Sequence, residues 1–251
     1  MALRILIVGA GAVGGYFGGR LAQAGRDVTF LVRPSRAKQL SQDGLQIISP
    51  HGDAVLSPKL ISADKIDAPY DIIFLSAKAY ALEAAMNDFA AAVGPETMIF
   101  PVLNGMRHID ILAKRFGEQP VIGGVCLVAA EIDHQGRIVQ LADFQRLVYG
   151  ERNGKTTPRL KALDVTLQGA GFDAHLSPEI MQAMWEILGS LTRQCVMNWK
   201  HLGTYLSHQR HQSATTGDLQ LAEDGMKMFF HRFETQAAFV GNLLIAAPIA
   251  H

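Results

Sequence analysis

Short apolar runs and helix-like segments alternate from the first residues of the chain. Leu3 to Val8 (LRILIV) is a continuous apolar run of the kind that forms a strand buried on both faces. Ala12 to Ala24 reads as a helix rich in small residues, and Asp27 to Val32 as a second buried strand. Gly44 to Pro58 reads as two short strands around a His-Gly-Asp turn. Tyr70 to Ser76 is the next buried strand, followed by a helix from Ala79 to Ala92, a strand from Thr97 to Leu103, a helix from Gly105 to Phe116 and a strand from Val121 to Ala130. This alternation predicts a parallel sheet with helices on both faces. Gly136 to Gly150 is expected to form paired strands, Pro158 to Gly169 a helix, and Gly171 to Leu176 an edge strand. Ser177-Pro178-Glu179 opens a further helix through Trp185: a capping Ser, a Pro in the first turn and an acid near the positive end of the dipole. The domain boundary is expected near Leu176, dividing the chain into 1–176 and 177–251.

Composition narrows the class of protein. The 251 residues are 49% hydrophobic and 18% charged, with 23 basic and 23 acidic side chains. That balance gives no electrostatic reason to bind nucleic acid or an anionic membrane, and neither is expected as a partner. Two cysteines, Cys126 and Cys195, form no disulfide framework and have no metal-ligand spacing. The start of the chain lacks the apolar length of a signal peptide, and Phe239 to Ala250 is shorter than the ~20 residues a bilayer span needs. A cytoplasmic location is the expectation.

Gly9-Ala10-Gly11-Ala12-Val13-Gly14 follows the first strand and opens the first helix. Gly9 suits a tight turn, Gly11 lets backbone approach a pyrophosphate, and Gly14 permits close helix–strand packing. The exposed amides and the helix dipole then favour an anion. A glycine turn alone is weak, but between a strand and a helix it reads as a dinucleotide site. At the end of the second strand an NAD site usually carries an acid for the ribose 2′-hydroxyl. Here the chain reads Phe30-Leu31-Val32-Arg33, and a guanidinium there matches the 2′-phosphate of NADP(H), with Arg36 in a position to help. The competing reading of Arg33 is a solvated surface residue. Lys78 follows the fourth strand, where open α/β sheets bind ligands, and suits a phosphate or carboxylate; it also reads as a solvated helix-start lysine. Asn104-Gly105 stands at the same place after the next strand. It can serve a nicotinamide ribose or a substrate, or simply make a turn. His201, His208 and His211 are too irregularly spaced to predict a metal site, and Cys126 reads as a buried hydrophobe.

Taken in order, GAGAVGGYFGGRLAQAG, FLVR, GLQIISPHGD, Lys78-Ala79, Leu103-Asn104-Gly105-Met106, GGVCLVAAEIDHQGRIVQL, RLVYGER, AGFDAHLS and MWE resemble the 2-dehydropantoate 2-reductase (ketopantoate reductase) family over residues 3 to 186. The resemblance implies an α/β fold: an N-terminal Rossmann-type parallel sheet domain and a mostly helical C-terminal domain, here shortened. It implies reduction of 2-dehydropantoate to pantoate, for pantothenate synthesis, with NADPH. On it, Gly9 to Gly14 hold the pyrophosphate, Arg33 the 2′-phosphate, Asn104 lies near nicotinamide and substrate, and Ala130 gives a backbone position beside the cofactor. Lys78 is a further cofactor candidate, and a second copy of the chain is a candidate partner. The family's proton-donating lysine falls two residues after Trp185, where this chain has Ile187. The polar stretch Trp199 to Thr216 replaces the expected helical run, and the family's later serine and glutamate segment is not found. A shift of reading frame or a truncation near Glu186 would account for all three departures. Three outcomes follow: a reductase in which Lys200 or another group replaces the lysine, a protein that binds NADPH with little catalysis, or a product whose second domain cannot form.

Overall fold

The computed structural model describes residues 2–187. The chain forms two compact units, 1–184 and 185–251, and the described residues lie almost wholly in the first. Its elements are β1 (Arg4–Val8), α1 (Ala12–Gln23), β2 (Asp27–Leu31), α2 (Pro34–Asp43), β3 (Leu45–Ile48), β4 (Ala54–Leu56), β5 (Lys59–Ile61), β6 (Ile72–Leu75), α3 (Leu82–Phe89), β7 (Met98–Pro101), α4 (Arg107–Phe116), β8 (Gly123–Ile132), β9 (Ile138–Gly150), α5 (Pro158–Leu167) and β10 (Asp173–Leu176). A last helix occupies 180–187.

The first sheet is parallel throughout, in the order β5-β2-β1-β6-β7. Val121 then pairs parallel with Ile99, at the sixth place in the row. This is the strand order of a Rossmann fold, reversing direction between β1 and β6. The runs Ile5–Val8 and Ile72–Leu75 are buried at every residue, as strands covered on both faces must be.

What the alternation of elements did not reveal is a second sheet. Its order is β10-β9-β3-β4, with β8 antiparallel to β9. It lies on the other side of α1, which explains that helix's composition. A Cβ on Gly14 would come within 2.1 Å of Ser76 Oγ, and one on Gly18 within 2.7 Å of the Phe30 ring and 2.8 Å of Ile7, all on the first-sheet side. A Cβ on Gly15 would meet Ile138 at 2.4 Å, and one on Gly19 would meet Ile47 at 2.7 Å, on the second-sheet side. Residues four apart share a helix face, so the two glycine pairs open two different faces, about 100° apart, to close approach. A row of aromatic rings, Tyr16, Phe17, Phe74, Phe100 and Tyr149, packs edge-on or tilted along this seam, with centroids 5.2–6.2 Å apart. Each fully buried ring contributes roughly 1.5–3 kcal/mol.

Several expectations change. Gly136 to Gly150 is not a pair of strands; it holds the single long β9, which pairs back onto β8 through a turn at Asp133–Arg137. The Asp133 carboxylate accepts from the amides of Gln135 and Arg137 and from the Arg137 guanidinium, which stiffens that turn. The helix expected from Ala79 is α3 flanked by single 3₁₀ turns at 79–81 and 90–92. The elements α2 and β5 have no counterpart in the sequence reading. The start of the last helix, with Ile180 and Met184 buried, belongs to the first unit, which extends past the expected boundary at Leu176. Gly123 and Gly150 leave the room that Ile180 fills.

Candidate dinucleotide site

Parallel pairing brings four loops to one edge of the first sheet. Gly9 donates its amide to Leu31 O (3.2 Å), Ser76 to Val8 O (3.2 Å), and Val102 to Leu75 O (2.9 Å). The segments that follow β1, β2, β6 and β7 therefore leave the sheet side by side, at its carboxyl end. They carry Gly9–Gly14, Arg33, Lys78 and Asn104, four of the groups singled out in the sequence.

The glycine turn has the conformation its spacing requires. Gly9 adopts φ +95°, which L side chains rarely take. Ser76 Oγ lies 3.0 Å from both the Val8 and Gly9 carbonyl oxygens and sits where a side chain at position 14 would go, so the turn is packed tightly from beneath. The opposite side is open: a Cβ on Gly11 would meet nothing within 4 Å. Gly11 is the N-cap of α1, no side chain caps that end, and no acid stands in its first turn. The first helical hydrogen bond closes from Gly15 N to Gly11 O (2.8 Å), so the amides of Ala12, Val13 and Gly14 precede the helical ladder. Unclaimed amides and a helix dipole facing open space make a local field that favours an anion.

Arg33 is the N-cap residue of α2, directly past β2. It is exposed, and its side chain makes no hydrogen bond or ion pair among the described residues. Lys78 opens the 3₁₀ turn after β6, also exposed and unpaired among the described residues. Asn104 is exposed beside Gly105, whose φ of +94° turns the chain toward α4. Ala130 lies in β8 opposite Gln140, at the point where the β8–β9 register slips. Ile187 closes the described part of the last helix. Cys126 sits in β8 with its thiol pushed up to about 12 by burial, so it stays protonated and is a poor nucleophile. Lys200, Cys195, His201, His208 and His211 lie outside the described residues.

Sequence reasoning missed two groups here, Ser76 and His108, and gave a third, Arg36, a different part. Ser76 carries no motif, yet it holds the glycine turn from below. Arg36, grouped above with Arg33 as a phosphate ligand, has two of its three nitrogens committed elsewhere: Nε to Ala10 O (3.1 Å), Nη1 to Gly136 O (3.0 Å) and Gln39 Oε1 (2.6 Å). His108, in the first turn of α4 close behind Asn104, is 5% exposed, and its Nε2 has no partner among the described residues. Burial lowers its pKa to about 4, so the ring is neutral at pH 7.

With this geometry in hand, comparison with known proteins is specific. The family model described as ketopantoate reductase PanE/ApbA matches residues 5–154. An uncharacterized oxidoreductase, YkpB, of Bacillus subtilis (strain 168) is 39% identical over 184 residues, covering 73% of this chain and 60% of its own. A 2-dehydropantoate 2-reductase of Mesorhizobium japonicum is 28% identical over 214 residues, covering 76% of this chain and 65% of its own. Among solved structures, the 2-dehydropantoate 2-reductase of Geobacter metallireducens GS-15 superimposes with a TM-score of 0.68 at 31% identity, over 74% of this chain and 62% of that one. The chain thus spans less than two thirds of the length of each of these proteins.

Proposed function

This chain belongs to the ketopantoate reductase family, PanE/ApbA, and from that membership we propose that it binds NADP(H) and reduces 2-dehydropantoate to pantoate. The observation that carries the reading is the uncapped start of α1, open above Gly11 and adjoined by the exposed Arg33. The residues fit the cofactor. The amides of Ala12, Val13 and Gly14 would face the pyrophosphate, Ala10 completing the turn, and Gly11 leaves the space it needs. Arg33, with no acid at the end of β2, would hold the 2′-phosphate through paired charge-assisted hydrogen bonds. Lys78 and Asn104, on the adjoining loops, would meet the phosphate or carboxylate end and the nicotinamide–substrate end, with Ala130 as a backbone contact. A reduced nicotinamide bound there supplies the hydride for a ketone carbon. This chain's residues must orient the ketone and deliver a proton to its oxygen, and Asn104 can orient the ketone by donating a hydrogen bond.

One observation favours a second reading. Isoleucine at 187 can neither donate a proton nor stabilise an alkoxide. Losing a general acid costs about 10²- to 10⁴-fold in rate, so the chain would bind NADPH and turn over slowly. A cytoplasmic setting and pairing with a second copy accord with either reading. No helix among the described residues is long and apolar enough to cross a membrane.

The test is calorimetric titration with NADPH and NADH, then absorbance of NADPH with and without 2-dehydropantoate. The first reading expects tight NADPH binding, about tenfold or more weakened by Arg33→Ala, with NADH affinity unchanged and oxidation dependent on the keto acid. Equal losses for the two cofactors would refute the 2′-phosphate role of Arg33. NADPH binding without keto-acid-dependent oxidation would select the second reading.

A further inference from the structure

We propose that Arg36 is a positioning residue for the dinucleotide: by holding the Ala10 carbonyl and the β8–β9 turn at once, it aims the amides of the glycine loop at the pyrophosphate and contacts no part of the cofactor itself. The assignment rests on the dinucleotide reading above and adds a determinant outside the glycine fingerprint.

The geometry is particular. Ala10 is buried between the turn glycine Gly9 and the N-cap glycine Gly11. Arg36 Nε donates to its carbonyl at 3.1 Å. The peptide joining Ala10 to Gly11 is planar and trans, so its C=O and N–H point in opposite directions. Drawing the Ala10 oxygen toward α2 therefore turns the Gly11 amide away from α2. Two neighbouring glycines leave this peptide little stiffness of its own, and an external donor is what fixes its rotation.

The same guanidinium reaches across the chain. Nη1 donates to Gly136 O at 3.0 Å, in the turn between β8 and β9, and Gln39, one helical turn along α2, donates from Nε2 to Gln135 O at 3.1 Å. That turn stands next to Ile138, which fills the space over Gly15. Arg36 thus links the loop that opens α1 to the hairpin that covers it, the hairpin that also carries Ala130. The guanidinium offers no paired, exposed donors to a phosphate: Nε and Nη1 are engaged by protein acceptors, and Nη2 is shut off from solvent without a partner among the described residues. The cation still lies beside the loop, where it reinforces the positive potential without marking any one phosphate.

This division of labour separates Arg36 from Arg33. A 2′-phosphate ligand affects NADPH alone, whereas a residue that sets the pyrophosphate loop affects both cofactors equally. The experiment is titration of wild type, Arg36→Ala and Arg33→Ala with NADPH and with NADH, together with hydrogen exchange of the cofactor-free proteins. Arg36→Ala is expected to weaken both cofactors by the same factor, about tenfold, a typical effect for a lost charged hydrogen bond. It is also expected to speed exchange at the Gly9 and Gly15 amides while leaving the amides of β1 and β6 unchanged. Arg36→Lys, which keeps the charge on a single donor nitrogen, restores part of both. If Arg36→Ala does not fold, Arg36→Lys carries the comparison. A loss confined to NADPH would make Arg36 a 2′-phosphate ligand and overturn the proposal. So would unchanged affinities, whatever the melting temperature. A wild-type protein that binds neither dinucleotide would overturn the cofactor reading and this assignment with it, and is told apart by needing no variant.

Discussion

The two sides of the glycine turn are built on opposite principles. Beneath and behind it, along the seam between the sheets, every space is filled: Ser76 under Gly14, Ile138 over Gly15, Phe30 and Ile7 against Gly18, Ile47 against Gly19. The polar cluster around the Tyr16 hydroxyl in that seam is matched as well. The Tyr16 hydroxyl lies against Gln140 (2.7 Å) and Gln145, and Ser49 donates to the same Gln140 oxygen (2.6 Å). In front, at the sheet's carboxyl edge, the space over Gly11 is empty and Arg33, Lys78 and Asn104 stand without partners among the described residues. One residue type serves both sides. Glycine behind the turn lets elements touch; glycine in front leaves room for something that is not protein.

The sharpest way to break this contrast is to add one methyl group on each side. Gly14→Ala forces a Cβ to within 2.2 Å of the Gly9 carbonyl oxygen, which is backbone and cannot swing aside. It should cost about 3 kcal/mol or more in urea unfolding. Gly11→Ala meets nothing and should cost under about 1 kcal/mol, yet it should weaken dinucleotide binding. Stability losses of equal size at both positions would erase the distinction.

A second test concerns how abruptly open edge gives way to closed interior. Asn104 is exposed and His108 is buried and neutral. With its folded pKa near 4 and an unfolded value near 6.5, His108 binds a proton more readily in the unfolded chain between those limits. Stability therefore falls as pH drops through that window, by about 2 kcal/mol at pH 5 relative to pH 8, and the loss is complete below about pH 4. His108→Leu should flatten this part of the acid limb in unfolding curves measured from pH 8 to pH 4. An unchanged limb would mean that the ring is solvated. The smallest effect belongs to the seam's polar cluster. Tyr16→Phe leaves the Gln145 amide oxygen without its donor, while Gln140 keeps Ser49, and should cost about 1.5 kcal/mol without changing dinucleotide affinity. A drop in affinity would show that the seam and the edge are coupled.

These contrasts also explain what the sequence made legible. The buried strands were plain because residues such as Ile72 to Leu75 are apolar without interruption, and the glycine turn was plain because a strand precedes it and a helix follows. α2 was missed because Pro34 to Asp43 is polar nearly all round, with Leu40 its one buried residue. β5 is three residues at a sheet edge, too short to show a period. The second sheet was hidden because its strands come from 45–48, 54–56, 123–132, 138–150 and 173–176, and no local pattern declares that such distant segments will pair. Of the site, Gly9–Gly14 and Arg33 follow from local chemistry. The long-range bonds of Arg36 do not, since their acceptors are backbone carbonyls 26 and 100 residues away, and a carbonyl has no signature in the sequence.

The burial of α1 on both faces sets an order of events during synthesis. The helix is among the first segments to leave the ribosome, and β1 and β2 can cover one of its faces early. Its other face waits for Ile47 in β3, and then for Ile138 in β9, which pairs parallel with Ile47 as soon as it is made. A nascent chain stopped before residue 138 would carry the whole glycine fingerprint on a helix bare along one side. The glycine loop is thus encoded at the beginning of the chain but gains its long-range contacts only when the turn that Arg36 bonds, at Gly136, has been made.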